Sequence, residues 1–299
     1  MSVPSWGKTR SFVHSPLQAQ SLRLVLIQAR EHPRMVDQEQ ECFAERCRVP
    51  REAFEVVNVV RGDRPTAEHL DAADAVLIGG AGAYSAADDH EWMPGLLEFV
   101  RRAVDREVPM FGSCWGHQIL ARALGGRVVY DPEHAELGCH WVEQTAAGRS
   151  DLLFHRFPRR FRANMGHHDR VVALPSCATE LARNEIPYQA FKIDDRPVYG
   201  TQFHSELDAR RERERILVYR EEYRDALPDE ETVQKVLDEL ADTTAVDPLL
   251  YDFLTTYVGR RLTARVPRAA GSLESTRPLR PHPEDPTGPP TDGRRVPGD

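Results

Sequence analysis

The stretch VPMFGSCWGHQILARALGG, near the middle of the chain, limits the fold more than any other segment. Val108 to Phe111 is an apolar run suited to a buried strand, and it passes directly into Gly112-Ser113-Cys114-Trp115-Gly116. A helical segment follows and stops at Gly125-Gly126. A strand that becomes a helix across a cysteine, with glycines two residues before and two after it, is the arrangement of a nucleophile elbow with cysteine in place of serine. The glycines let the backbone turn sharply without a Cβ clash, which lifts the thiol above the sheet edge. A helix N-terminus beside the sulfur also favours the thiolate over the thiol. A core cysteine next to an ordinary glycine-rich turn has the same local sequence, so Cys114 needs partners before it means chemistry.

The surrounding pattern predicts an α/β fold. Apolar runs at Leu22 to Ile27 and Ala75 to Ile78 read as strands, and between them and Val108 lie segments with helical spacing, such as Leu96, Leu97 and Val100. Alternating strands and helices give a mostly parallel central sheet with helices on both faces. After Gly126 the predicted strands shorten (Arg127 to Tyr130, His140 to Val142, Tyr188 to Phe191, Val198 to Phe203), as antiparallel additions to such a sheet would. The remaining third is helical in pattern. Ile216, Tyr219 and Tyr223 share one face and Val233, Val236, Leu237 and Leu240 another, and a last helix is predicted with Asp247 as cap and Pro248 at its first position.

This gives four expected regions: a flexible leader over residues 1–20, a catalytic α/β domain over 21–208, a helical extension over 209–265, and a disordered tail over 266–299. The tail holds eight prolines in the 33 residues from Pro267 and almost nothing apolar to offset the entropy of ordering. No apolar run is long enough to span a membrane. Five scattered cysteines form no CxxC pair, which points to neither a zinc site nor a disulfide framework and fits a reducing cytoplasm. A net charge of −8 argues against nucleic acid as a partner, and the basic run His155 to Arg162 reads as a solvated turn.

Partners for Cys114 stand ninety residues on, in VYGTQFHSELD. His204 and Glu206 are one residue apart at the end of a strand pattern, and a period of two puts both on one face. One carboxylate can then orient one imidazole: His204 exchanges the proton with the thiol and the leaving group, and Glu206 fixes its tautomer. On their own, such residues at a strand end would more often be a surface pair.

Together, GSCWGHQ and GTQFHSE resemble the GxCxGxQ and QFHPE signatures of class I glutamine amidotransferases. VLIGGAGAYS resembles that family's glycine-rich oxyanion loop, ANMGHHDRVVALP its segment before the closing strands, and Glu136 to Gly138 a recurrent acidic residue and glycine. The match runs in order over residues 22 to 207. It implies a flavodoxin-like fold, a Cys114–His204–Glu206 triad that hydrolyses the glutamine side-chain amide, and an oxyanion hole from the amides of Gly80 and Trp115. Gln118, His167 and Asp169 are implied on the substrate side, with no metal and no cofactor. Two departures stand out: Ser205 replaces the usual proline, and His117 replaces Met or Leu on a helical turn expected to be exposed at the pocket. The ammonia would pass to a separate synthetase, since residues 209–299 hold no Walker-type sequence. Hydrolysis of another γ-glutamyl compound, by a peptidase with the same triad, is the alternative; a regulatory binding module with an idle triad is a third reading.

Overall fold

The computed structural model describes residues 22–259. The expected leader (1–20) and Pro-rich tail (266–299) lie outside the described residues.

The strands in chain order are β1 (Leu24–Ala29), β2 (Phe54–Asn58), β3 (Ala75–Ala81), β4 (Met110–Ser113), β5 (Arg127–Tyr130), β6 (Glu136–Gln144), β7 (Arg160–His167), β8 (Asp169–Ala173), β9 (Ala178–Arg183), β10 (Ala190–Ile193) and β11 (Val198–Thr201). The helices are α1 (Pro33–Cys47), α2 (Ala67–Ala72), α3 (Met93–Asp105), α4 (Trp115–Ala123), α5 (Ala146–Ser150), α6 (Ala209–Val218), α7 (Glu230–Glu239) and α8 (Leu249–Leu254).

Nine strands form one sheet in the order β2-β1-β3-β4-β11-β10-β9-β6-β7. Its β2-to-β11 half is parallel and the rest is antiparallel. β5 and β8 pair separately as a two-stranded antiparallel ribbon. The fold is therefore the mixed α/β architecture that the pattern predicts. β1 shows why its residues make a central strand: Leu24 and Leu26 enter one core with Phe43 and Phe253, while Val25 and Ile27 enter the other with Leu96, Phe99 and Leu120. Both faces are covered, so the strand is apolar throughout. α1 and α8 lie on one face, α3 and α4 on the other.

Several boundaries differ from expectation. β2, β7, β8 and β9 lack a clean apolar run; β7 reads RFRANMGH because buried polar residues serve the site at its end. The strand foreseen at His140 to Val142 extends over the whole of β6. α8 is preceded by Pro248 at the N-cap position, and Asp247 forms an ion pair with Arg46 at 3.0 Å instead of capping. Tyr219 and Tyr223 lie in turns just beyond α6, although both are buried with Ile216 as the shared face requires. No helix among the described residues is long and apolar enough to cross a membrane.

Candidate active site

Parallel strands end on one side of the sheet, and there β4 gives way to α4 at Cys114, whose backbone takes φ 52° and ψ −102°. This conformation is costly for a residue with a side chain and persists only where its surroundings enforce it. The enforcing contacts are visible. A Cβ at Gly112 would lie 2.4 Å from the Gly116 backbone, and one at Gly116 would lie 2.3 Å from the Ile78 carbonyl. Both glycines are thus required by close approach of the chain to itself. The Cys114 amide donates to the Thr201 carbonyl of the neighbouring β11 at 2.8 Å, which ties the bend to the strand that leads to the histidine.

That strand stops at Thr201, so His204 and Glu206 sit on an irregular segment past its end rather than on the strand itself. They still converge. His204 Nδ1 lies 2.8 Å from Glu206 Oε1, and a carboxylate can only accept there, so Nδ1 carries the hydrogen. The Cys114 thiol lies 3.7 Å from the Gly166 carbonyl and 3.8 Å from Gln202 Nε2, and it is close enough to the imidazole for its charge to act on it. Ser205, between His204 and Glu206 in the chain, is buried and its Oγ has no hydrogen-bond partner among the described residues.

Burial alone would depress the pKa of His204, but the charges of Glu206, Glu212 and Cys114 raise it well above 6.5. Burial alone would raise Glu206, yet His204, Arg215 and the Ser113 hydroxyl hold it well below the ordinary carboxylate range. Ser113 Oγ donates to Glu206 Oε2 at 2.6 Å and Arg215 Nη1 to Oε1 at 3.0 Å. Behind them runs a buried chain of charges: Arg215 lies 3.8 Å from Glu39, whose Oε1 accepts from Arg30 Nε at 2.8 Å. None of Arg30, Glu39 and Arg215 belongs to a motif. The signal for the first was present, since Gln28 and Arg30 are polar interruptions at the end of the otherwise apolar β1.

A cavity of about 430 Å³ opens over the sulfur, lined by Cys114, Trp115, Gln118, His167 and Asp169 among the expected residues. Gln118 Nε2 donates to the Asp169 carbonyl at 2.7 Å and to Gln202 Oε1 at 3.2 Å. His167 is fully engaged, with Nδ1 3.0 Å from the Asp169 carbonyl and Nε2 3.1 Å from Glu136. Asp169 Oδ2 accepts from Ser85 Oγ at 2.7 Å and the Ala86 amide at 2.6 Å, so it pins the loop after β3; its own pKa is raised, chiefly by burial.

Two expectations need correction. The Gly80 amide donates to Glu39 Oε1 at 3.0 Å and is not free for an oxyanion. Gly82, two residues on, lines the cavity instead. His117 is fully buried and absent from the cavity wall; it packs against Phe191, and burial lowers its pKa to about 3. Sequence reasoning also missed the wall that the C-terminal segment supplies: Tyr223 donates its hydroxyl to the Gly166 carbonyl at 2.9 Å and lines the cavity beside Glu222.

The family profile Glutamine amidotransferase class-I matches residues 34–220. The chain is 39% identical over 101 residues to a glutamine-hydrolyzing GMP synthase subunit of Pyrococcus abyssi, covering 33% of this chain and 52% of that one. It is 34% identical over 148 residues to a gamma-glutamyl-L-1-hydroxyisopropylamide hydrolase of a Pseudomonas species, covering 46% and 48%. The chain spans about half the length of these relatives. Among solved structures, a glutamine amidotransferase of Thermotoga maritima superposes with TM-score 0.60 at 25% identity, over 80% of this chain and 99% of that one. One from Methylobacillus flagellatus gives 0.61 at 26%, over 85% and 99%. The chain belongs to the class I glutamine amidotransferases, a family of amide-hydrolysing enzymes.

Proposed function

We propose that this protein hydrolyses the side-chain amide of glutamine, or of a related γ-glutamyl amide, through a Cys114–His204–Glu206 triad. The observation that carries the reading is the thiol at a strained strand-to-helix bend, within charge interaction of an imidazole whose Nδ1 is bonded to a buried carboxylate. In the first step the Cys114 thiolate attacks the amide carbon, and the charge on oxygen is met by backbone amides, for which Trp115 and Gly82 are the candidates. His204, protonated, gives its proton to the departing nitrogen, leaving a γ-glutamyl thioester. Water then attacks with neutral His204 as base, glutamate leaves, and the thiolate and imidazolium are restored. Gln118, His167 and Asp169 serve by position, holding the cavity wall and the loop after β3.

In this reading residues 21–208 form the amidotransferase domain and 209–265 a helical extension that completes the pocket. The Pyrococcus relative is one subunit of a synthase by name, which supports transfer of ammonia to a separate synthetase. The five free cysteines suit a cytoplasmic setting. The test is ammonia release from glutamine by the purified chain, alone and with candidate synthetases, with Cys114→Ala as control. No release under any condition, together with no labelling of Cys114 by a glutamine-like electrophile, overturns the reading.

A second reading, hydrolysis of a larger γ-glutamyl amide, has specific support. The cavity falls within the roughly 300–1,000 Å³ of clefts that take ligands larger than one amino acid, and the Pseudomonas relative is a γ-glutamyl amide hydrolase by name.

A further inference from the structure

The cavity has two chemically different ends. Its floor, at Cys114 and Gln118, is buried, whereas Tyr130 is 52% exposed and Asp88 and Glu222 are exposed at its mouth. Ammonia, the leaving group from glutamine, would use none of the mouth. Yet the mouth is furnished. His168 lines it, is 9% exposed, and has an Nε2 with no hydrogen-bond partner among the described residues. The ring is held between Tyr130, at 5.6 Å, and Tyr223, at 4.9 Å, and burial keeps its pKa below 6.5, so the free nitrogen can accept a hydrogen bond. No Lys or Arg among the described residues lines this cavity, while Asp88 and Glu222 do and Asp225 adds its charge towards His168. Arg122 donates to the Asp88 carbonyl at 2.6 Å but pairs its charge with Asp89, and neither Asp88 nor Glu222 forms an ion pair among the described residues. Aromatic faces, an imidazole acceptor and unpaired carboxylates form a surface that attracts an ammonium group and repels a carboxylate.

Resting on the amide-hydrolase reading above, we propose that the cavity mouth is a subsite for the leaving amine of a γ-glutamyl amide, selecting an amine that bears a second, positively charged amino group. In the reaction the amide C–N bond breaks as the C–S bond forms, the nitrogen takes its proton from His204, and the diamine departs while water releases glutamate from sulfur.

The test compares three amides that share the glutamyl half and differ only at the far end of the amine. These are γ-glutamyl-1,4-diaminobutane, the neutral γ-glutamyl-n-pentylamide and the anionic γ-glutamyl-5-aminopentanoate, with glutamine alongside. The expected kcat/KM order is cationic, neutral, anionic, with the first step on the order of tenfold, as partly solvated charges give. In the Asp88→Asn, Glu222→Gln double variant the cationic-to-neutral ratio is expected to fall to about one. The proposal is overturned if the neutral or anionic amide is the better substrate, or if glutamine alone is turned over. It is equally overturned if the double variant slows all the amides in proportion, because those carboxylates would then hold the glutamyl half. Failure to turn over any of them, glutamine included, sinks the hydrolase reading itself; calorimetric binding of the same three compounds to Cys114→Ala then decides the subsite separately, by the same order.

Discussion

Glu206, beyond the end of β11, and Asp151, which touches Tyr199 near that strand's start, are both buried carboxylates, and their surroundings differ in kind. Asp151 accepts four hydrogen bonds, from the amides of Leu153 and Phe154 and from Lys192 and Tyr199, at 2.9 to 3.1 Å. It is saturated and ties a turn to the sheet. Glu206 also accepts from three groups, but one is an imidazole beside a thiol on strained backbone. Around it, Arg215 Nη2, Glu212 Oε2 and Ser205 Oγ are buried with no hydrogen-bond partner among the described residues. Saturated buried polar groups hold a fold in place, whereas strain and unmet polar atoms gathered at one point mark where stability has been traded for chemistry.

The largest break in this contrast should come from Cys114→Ala. Amide hydrolysis is expected to fall by on the order of 10³-fold or more, while the thermal unfolding midpoint stays near that of the parent. Retained turnover would move the chemistry away from the bend. Glu206→Gln comes next, since it keeps the volume but leaves His204 with the wrong tautomer. We expect kcat/KM to drop roughly 10³-fold, and urea unfolding at pH 7 to show a loss of about 3 kcal/mol because Arg215 is left facing an uncharged group. Asp151→Asn should separate the two ends: about 2 kcal/mol of stability lost, kcat/KM unchanged. Comparable catalytic damage from both carboxylate variants would erase the distinction.

The two ends also differ in how far they could be read from sequence. The elbow was legible because strand, glycines, cysteine and helix follow one another within a few residues, although the contact that demands Gly116 is with Ile78 of β3, and His204 with Glu206 because a short spacing fixes their relation. The central strands were legible from continuous apolar runs that two covered faces require. What holds Glu206 was not: Arg215 reaches it from α6 and is itself paired with Glu39 of α1, and no local period records that. Gly80 misled for a related reason, because whether its amide is free depends on Glu39, forty-one residues earlier in the chain. His117 misled because helical position suggested exposure, whereas β11 lies close against that turn; a Cβ at Gly200 would come within 2.9 Å of its ring. The four-bond setting of Asp151 left no mark in the sequence beyond an ordinary acidic residue after a turn.

The smallest expected effect is the sharpest test of the charge balance at His204. Glu212 is buried, its carboxylate favours protonated His204, and its Oε2 bonds to no described residue, so Glu212→Gln removes charge without breaking a hydrogen bond at that atom. A group whose folded pKa is raised stabilises the fold fully below its unfolded value, about 6.5 for histidine, and loses that contribution as pH rises through the folded value. Glu206, with its pKa depressed, behaves in the opposite sense: its contribution is present above about 4.3 and fades as pH falls through the folded value. Removing the Glu212 charge lowers the folded pKa of His204, so the alkaline loss of stability should begin at lower pH, with the acid side little changed. The alkaline limb of kcat/KM, set by loss of the imidazolium, should move down with it, by less than about one pH unit for a partner that is not hydrogen-bonded to the ring. A limb that stays in place while the variant remains folded would mean that Glu206 alone sets the charge of His204.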